Sequence, residues 1–324
     1  MTDAAFALWY VAPGEMDARP AALGSGNLRL RTLYSGVSRG TERLVLNGQV
    51  PASEAERMRV PAQEGDFPFP VKYGYCCVAE VIDGPQPWQG QRVFTLHPHQ
   101  TLFLADAARV TALPPDLPPA RAVLAANMET ALNAVWDSGA GPADRIAIVG
   151  GGSVGLLIAA LAAALPGTEV TLIDPDPARQ ALAARFGVGI DPAAAQEADV
   201  VFHASGVPAG LQTALDLAGM EACVVELSWY GTKPVSVSLG GAFHAKRLRL
   251  ISSQVGQVSL GRRPRWSYGR RLASALALLA DSRFDALLSE PIPFAEASKR
   301  LPRLLSEGGS ALMPLIVYTT EGVR

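Results

Sequence analysis

The chain has 324 residues, enough for two domains, and its 49% hydrophobic against 18% charged residues give it a sizeable core and exclude a disordered chain. With 28 basic and 30 acidic residues, a net charge of −2, overall charge points to neither a nucleic-acid partner nor an acidic tail. Three cysteines, Cys76, Cys77 and Cys223, supply neither a disulfide framework nor the four-cysteine pattern of a structural zinc lobe, and they predict a reducing, cytoplasmic setting.

From the N-terminus, Met1 to Tyr10 carries Asp3 and no basic n-region, so no signal peptide is expected. Residues 1 to about 117 alternate Gly, Pro and short apolar runs. Leu28–Leu33, Cys77–Ile82, Arg92–Leu96 and Thr101–Leu104 read as short strands joined by turns. Prolines cluster at Pro114, Pro115, Pro118 and Pro119, and the domain junction is placed there. The rhythm then changes. Strands are predicted at Arg145–Val149, Glu169–Ile173, Asp199–Phe202 and Cys223–Leu227, with helices at Ser153–Leu165, Pro177–Phe186 and Ala209–Leu217 between them. Strands alternating with helices mean βαβ units on a parallel sheet. Pro234–Leu239 and Leu248–Ser252 look like further strands. Helices at Ser267–Leu279 and Phe294–Leu305 and a strand at Ala311–Tyr318 look like a return to the first domain. The longest apolar stretch, Val154 to Leu165, falls short of the ~20 residues that cross a bilayer, so no membrane partner is expected.

Ile146-Ala147-Ile148-Val149 runs into Gly150-Gly151-Gly152-Ser153-Val154-Gly155, which fits G-x-G-x-x-G between a strand and a helix. The first glycine permits the tight turn, the second lets backbone approach a pyrophosphate, and the third lets helix pack on strand. The helix N-terminus supplies free N–H groups and a positive dipole for the phosphates. Asp174 ends the next strand 19 residues beyond Gly155. An acid there accepts hydrogen bonds from ribose hydroxyls and repels a 2′-phosphate, so NAD is favoured over NADP. Arg179 either bonds the same ribose or tolerates a phosphate.

On this order of domains and these motifs the chain resembles the medium-chain dehydrogenase/reductase superfamily, alcohol dehydrogenase-like, over nearly its whole length. Ser35-Gly36-Val37-Ser38-Arg39-Gly40-Thr41-Glu42 looks like that family's catalytic-zinc loop. Tyr73-Gly74-Tyr75 falls where a Gly-His-Glu carries its second zinc ligand, and Gly90-Gln91-Arg92-Val93-Phe94 matches its Gly-Asp-Arg-Val strand. Within the superfamily the bacteriochlorophyllide dehydrogenase branch and neighbouring zinc-lacking members look most similar. The resemblance implies an α/β architecture: a β-rich GroES-like catalytic domain, 1–117 completed by 266–324, and a Rossmann doubly wound parallel sheet in 118–265. It also implies a homodimer through the Rossmann sheet, with Pro234–Leu239 and Leu248–Ser252 as candidate edge material.

The departures from the family matter as much. The first-loop cysteine is replaced by Ser38 or Arg39, the histidine by Tyr75, and the third ligand position falls near Ala126, with Glu129 the nearby carboxylate. A catalytic zinc needs three ligands from Cys, His, Asp or Glu, so no zinc is expected. Without it, some other group must stabilise charge on the substrate oxygen. Tyr75 is a candidate donor or a buried tyrosine with a satisfied hydroxyl. Ser38 is a donor and relay or a turn residue. Glu129 is a general acid/base or a helix-cap carboxylate. By resemblance Arg39 reaches the cofactor pyrophosphate and Thr130 contacts the cofactor. His97 and His99 are strand-end histidines, either of which can face substrate. Ligands bind outside the carboxyl ends of Rossmann strands. Ser205 and Gly206 therefore approach the adenosine side, and Leu227 and Ser228 the nicotinamide. Trp229 and Tyr230 wall a flat substrate or pack in the core, and His203 is a core residue or part of this edge.

Eight basic residues and no acidic one lie between Lys246 and Arg271. They form a solvated surface or meet an anionic substrate or acidic partner subunit; interleaved Trp266 and Tyr268 suggest nucleic acid, which the near-neutral whole argues against. The reading is a zinc-independent, NAD(H)-dependent oxidoreductase acting on an alcohol/carbonyl pair of a mid-sized small molecule in the cleft between domains. An NADPH-dependent quinone/enone reductase and a catalytically inactive dinucleotide-binding protein are the alternatives.

Overall fold

The computed structural model describes residues 4–306 and 311–318; Met1–Asp3 and the end of the predicted return, 319–324, lie outside the described residues. The chain divides into two compact units, one of Met1–Ala126 with Leu272–Arg324, the other of Asn127–Arg271.

The first unit is built on strands whose alternate residues face inward. A seven-stranded sheet runs in the order Leu288–Pro293, Met313–Val317, Leu28–Gly36, Cys76–Asp83, Arg92–Thr95, Val110–Ala112, with Leu102–Ala105 also pairing with Leu28–Gly36. Leu28 and Leu30 point into one core with Cys77, Ala79, Val81 and Phe103, as a period of two requires. Met313–Val317 pairs antiparallel with Leu28–Gly36, and this pairing brings the C-terminal segment into the first unit. A four-stranded sheet, Glu15–Ala21, Ala5–Ala12, Val71–Lys72 and Glu64–Gly65, completes it. The helix Arg39–Leu46 follows directly on the central strand.

The second unit is a five-stranded parallel sheet in the order Glu169–Ile173, Arg145–Val149, Ala198–His203, Ala218–Glu226, Arg249–Ser252. Helices Ser153–Ala163, Pro177–Ala184 and Pro208–Leu217 are its crossovers. This is a doubly wound Rossmann sheet whose winding reverses between Arg145–Val149 and Ala198–His203. Where a further strand would extend the first edge there is a single parallel bridge, Thr171–Gly189.

One predicted strand is corrected. Pro234–Leu239 makes no ladder: residues 234–238 are irregular and lead into a π-helical turn at Leu239–Phe243. Val235 and Val237 pack on the Rossmann core as the alternation demands. However, Pro234 has no N–H to give a neighbouring strand, and the Ser238 N–H goes to the Gln212 side chain at 2.7 Å. Alternation reported burial there without pairing. Leu248–Ser252 does form a strand, Arg249–Ser252. Among the described residues no helix is long and apolar enough to cross a membrane.

Candidate functional site

In the second unit the glycine turn follows the strand Arg145–Val149 as its spacing requires. Gly150 has φ +108°, and a Cβ there would lie 2.6 Å from the Ser205 backbone. A Cβ on Gly155 would lie 1.9 Å from the Gly150 carbonyl oxygen. Both positions therefore admit only glycine, one for its conformation and one for the approach of helix to strand. A Cβ on Gly152 would meet nothing within 4 Å, so the protein itself does not demand glycine there. Gly152 caps the helix Ser153–Ala163, with Ser153 and Val154 in its first turn.

The Asp174 carboxylate closes on this turn. Its Oδ2 accepts the Gly151 N–H at 2.6 Å and its Oδ1 the Asp176 N–H at 2.9 Å. Arg179 is buried beside it, its Nε 3.4 Å from Asp176 Oδ2. At the neighbouring strand ends, Gly206 N–H donates to Ser228 Oγ at 3.0 Å and Leu227 N–H to the His203 carbonyl at 3.0 Å. Trp229 and Tyr230 are half-buried. The Tyr230 hydroxyl turns inward and donates to Glu226 Oε2 at 3.1 Å; burial, followed by the Glu226 charge, pushes its pKa up.

Glu129, also in this unit, is buried and ion-paired: Arg271 Nε donates to its Oε1 at 3.0 Å. Burial raises its pKa, with Arg271 opposing the shift. Arg271 also donates to Asn133 Oδ1 at 2.9 Å and the Val255 carbonyl at 2.7 Å. The basic run is thus partly neutralised from elsewhere in the sequence, Lys246 by Glu197, Arg247 by Glu221 and Arg271 by Glu129. Arg262 and Arg270 instead lie over the Trp136 and Trp266 rings. Thr130 is half-buried on the same helix, Ala125–Ser138, as Glu129.

In the first unit Ser38 and Tyr75 come together. Ser38 occupies the N-cap of Arg39–Leu46, yet its hydroxyl makes no capping bond. Instead it is hydrogen-bonded, as is Thr41, to the Tyr75 hydroxyl. Burial, followed by the Cys76 thiol, pushes the Tyr75 pKa up, so it stays a proton donor. Arg39 is directed to the Ala311 and Ser306 carbonyls at 3.5 and 3.3 Å. His97 is stacked on Phe103 with ring centroids 3.7 Å apart, and its Nδ1–H donates to the Pro98 carbonyl at 2.9 Å. Burial lowers its pKa to about 3, so its ring is neutral.

Beneath Ser38 lies a buried network that the sequence reading did not assemble. Glu42 accepts the Ser38 N–H at 2.7 Å through Oε1. Through Oε2 it accepts the Tyr10 hydroxyl at 2.6 Å and meets His99 Nε2 at 2.9 Å. His99 Nδ1 continues to Ser35 Oγ at 2.7 Å, and Ser35 to the Tyr318 hydroxyl at 2.8 Å. Gly74, at φ +122°, makes room for the His99 ring, 2.8 Å from where its Cβ would be. Ser35 and Glu42 stood inside the recognised motif and His99 in the His97-Pro98-His99 pair, read as a strand-end histidine; Tyr10 carried no signal beyond a polar atom in an apolar strand.

Ser38, Arg39 and Tyr75 do not fit a catalytic zinc ion, and among the described residues no group of three His, Cys, Asp or Glu side chains is placed to hold a metal.

No protein-family model matches the chain. It is 30% identical over 302 residues to the 2-desacetyl-2-hydroxyethyl bacteriochlorophyllide A dehydrogenase of Rhodobacter capsulatus, covering 85% of each chain. Among solved structures, L-idonate 5-dehydrogenase from Escherichia coli K-12 superposes with a TM-score of 0.77 at 15% identity over 98% of this chain and 99% of the other. A Sinorhizobium meliloti protein described as a zinc-binding dehydrogenase, bound to NADP, gives 0.75 at 19% over 98% and 100%. An alcohol dehydrogenase from E. coli CFT073 in complex with NADH gives 0.75 at 12% over 98% and 100%. With this sequence kinship added to the two-unit fold and the glycine turn, the chain belongs to the medium-chain dehydrogenase/reductase superfamily.

Proposed function

We propose that the protein is a zinc-independent, NAD(H)-dependent oxidoreductase that interconverts an alcohol and a carbonyl on a mid-sized substrate. The observation that carries the cofactor choice is Asp174, whose carboxylate stands at the glycine turn. Its charge accepts ribose hydroxyls and repels a 2′-phosphate. Gly150, Gly152, Ser153, Val154 and Gly155 take the pyrophosphate, Asp174 and Arg179 the adenosine ribose, and Ser205, Gly206, Leu227 and Ser228 the strand-end side of the dinucleotide. Arg39 and Thr130 are further cofactor contacts. The bound dinucleotide supplies hydride transfer. Tyr75, held by Ser38 and Thr41, donates a hydrogen bond to the substrate oxygen in the role a metal plays elsewhere. Glu129 is a less direct acid/base candidate because Arg271 engages it. The R. capsulatus relative is named for a hydroxyethyl group on bacteriochlorophyllide. A comparable secondary alcohol on a flat molecule is the substrate class proposed here, walled by Trp229, Tyr230 and His97.

One observation favours a second reading. Arg179 is a buried cation beside Asp174, and one structural neighbour binds NADP, which fits an NADPH-dependent reductase. Calorimetric titration of metal-stripped protein separates the two. NADH binding at least tenfold tighter than NADPH is expected, and the reverse order overturns the assignment. We further propose a homodimer through the exposed edge strand Arg249–Ser252, for which light scattering should return twice the chain mass.

A further inference from the structure

Beside the glycine turn, two positive features stand ready for an anion, and a single carboxylate already engages both. One is the start of the helix Pro177–Ala184, where backbone N–H groups and the helix dipole favour negative charge. The other is the guanidinium of Arg179, a group suited to phosphate. The carboxylate is Asp176. Its Oδ1 accepts the Ala178 N–H at 2.9 Å and so caps the helix. Its Oδ2 lies 3.4 Å from Arg179 Nε, an ion pair in which the arginine side chain is 10% exposed and the aspartate 42%. The Asp176 carbonyl also accepts the Arg179 N–H at 2.9 Å, so backbone and side chain tie the two residues within one helical turn.

The pair is anchored to the glycine turn through Asp174. The Asp176 N–H donates to Asp174 Oδ1 at 2.9 Å, while Asp174 Oδ2 accepts the Gly151 N–H at 2.6 Å. The Asp174 carbonyl takes the Gln180 side-chain amide at 2.9 Å. A Cβ on Gly151 would lie 2.8 Å from Arg179 Cβ and 3.2 Å from Asp174 Oδ2, so the arginine stem and the Asp174 carboxylate press on the turn at one spot. Asp174, Asp176 and Arg179 therefore act as one cluster, in which two carboxylates face one guanidinium. A phosphate arriving there meets a cation whose charge is already answered.

We propose that Asp176 is a second determinant of cofactor choice, which holds the Arg179 guanidinium and the start of its helix so that neither is offered to a ribose 2′-phosphate. The inference rests on the NAD(H) reading. Asp174 repels the phosphate directly, whereas Asp176 works through Arg179 and is a positioning residue. Its presence accounts for a buried arginine in a site that selects the cofactor without the phosphate. Ribose hydroxyls lose little by the arrangement. They need an acceptor, which Asp174 supplies, whereas a phosphate depends on charge-assisted bonds from a free guanidinium. Loss of Asp176 thus turns Arg179 from a paired wall residue into a phosphate ligand, with Asp174 still in place.

Asp176→Ser in the full chain tests this, because serine still caps a helix but carries no charge. Calorimetric titration with NADH and with NADPH should show the ratio of the two dissociation constants shifting about tenfold toward NADPH, mostly through tighter NADPH binding. The same change in an Arg179→Gln or Arg179→Met background, whichever folds, should shift the ratio by less than about twofold, because no guanidinium is left to release. A ratio that does not move in Asp176→Ser, or moves only because NADH binds more weakly, overturns the proposal and leaves Asp176 a helix cap. Equal shifts with and without Arg179 overturn it as well, since the carboxylate would then act on the phosphate by itself. A wild type that prefers NADPH, or binds neither dinucleotide, brings down the NAD(H) reading and this inference with it. A wild type that prefers NADH, with an unmoved ratio in Asp176→Ser, brings down the inference alone.

Discussion

His97 and Tyr75 illustrate how burial sets what a single side chain can do. His97 has a pKa of about 3 in the folded chain against an ordinary value of about 6.5. The unfolded chain therefore binds a proton that the folded one refuses, and stability present above about pH 6.5 is lost as pH falls toward 3. Linkage gives a loss of about 2 kcal/mol between pH 7 and pH 5 from this residue alone. Urea unfolding at the two pH values should show it, and His97→Phe, which keeps the stack on Phe103, should remove that share of the slope. Tyr75→Phe keeps the ring on Tyr73 and deletes the hydroxyl. If Tyr75 polarises the substrate oxygen, kcat should fall roughly 10²-fold with the dissociation constant for NADH unchanged; a loss of NADH binding would assign it a different role. The sequence disclosed these residues unevenly. Ser38, Tyr75 and the glycines were legible because each belongs to a short local motif. The Glu42–His99 pair was not, because its members are 57 residues apart and only the folded sheet brings them together.

At the scale of elements, Arg271 is the clearest case of a residue whose sequence neighbours mislead. It stands in a run of basic residues but is buried, tying the helix Ala125–Ser138 to the segment around Val255 through Glu129, Asn133 and two backbone carbonyls. Removing one partner of a buried ion pair strands the other charge, at a cost of about 3–5 kcal/mol. Arg271→Leu should therefore lower the denaturation midpoint sharply, whereas Arg263→Ala on the exposed part of the run should change it little. Equal effects would show that the Glu129 pair contributes no more than a surface charge. The Rossmann strands and helices were legible because both periodicities and the turn residues agreed. Pro234–Leu239 was misread because alternating Val235 and Val237 report which side is buried and say nothing of whether a ladder forms.

For the whole molecule, the order of a β-rich unit, a Rossmann unit and a C-terminal return was legible from composition and rhythm. Under the proposed zinc-independent reading, the stability of the chain should not depend on a bound metal. Incubation with EDTA or 1,10-phenanthroline should leave both the melting temperature and the NADH dissociation constant unchanged, whereas a fall of several degrees would reveal a structural or catalytic metal.

The Rossmann sheet has two unlike borders. Along Glu169–Ile173 the outer side is already stitched by Gly189, which accepts the Leu172 N–H and donates to the Val170 carbonyl, both at 2.8 Å. Along Arg249–Ser252 the side chains of Arg249 and Leu250 are exposed. Two copies that meet at this open border use up the pairing capacity of both. Such a contact closes on itself and cannot propagate. In the proposed homodimer this would hold the assembly at two copies, and a change that loosened Gly189 would be expected to give each molecule a second open edge from which the pair could extend into a filament.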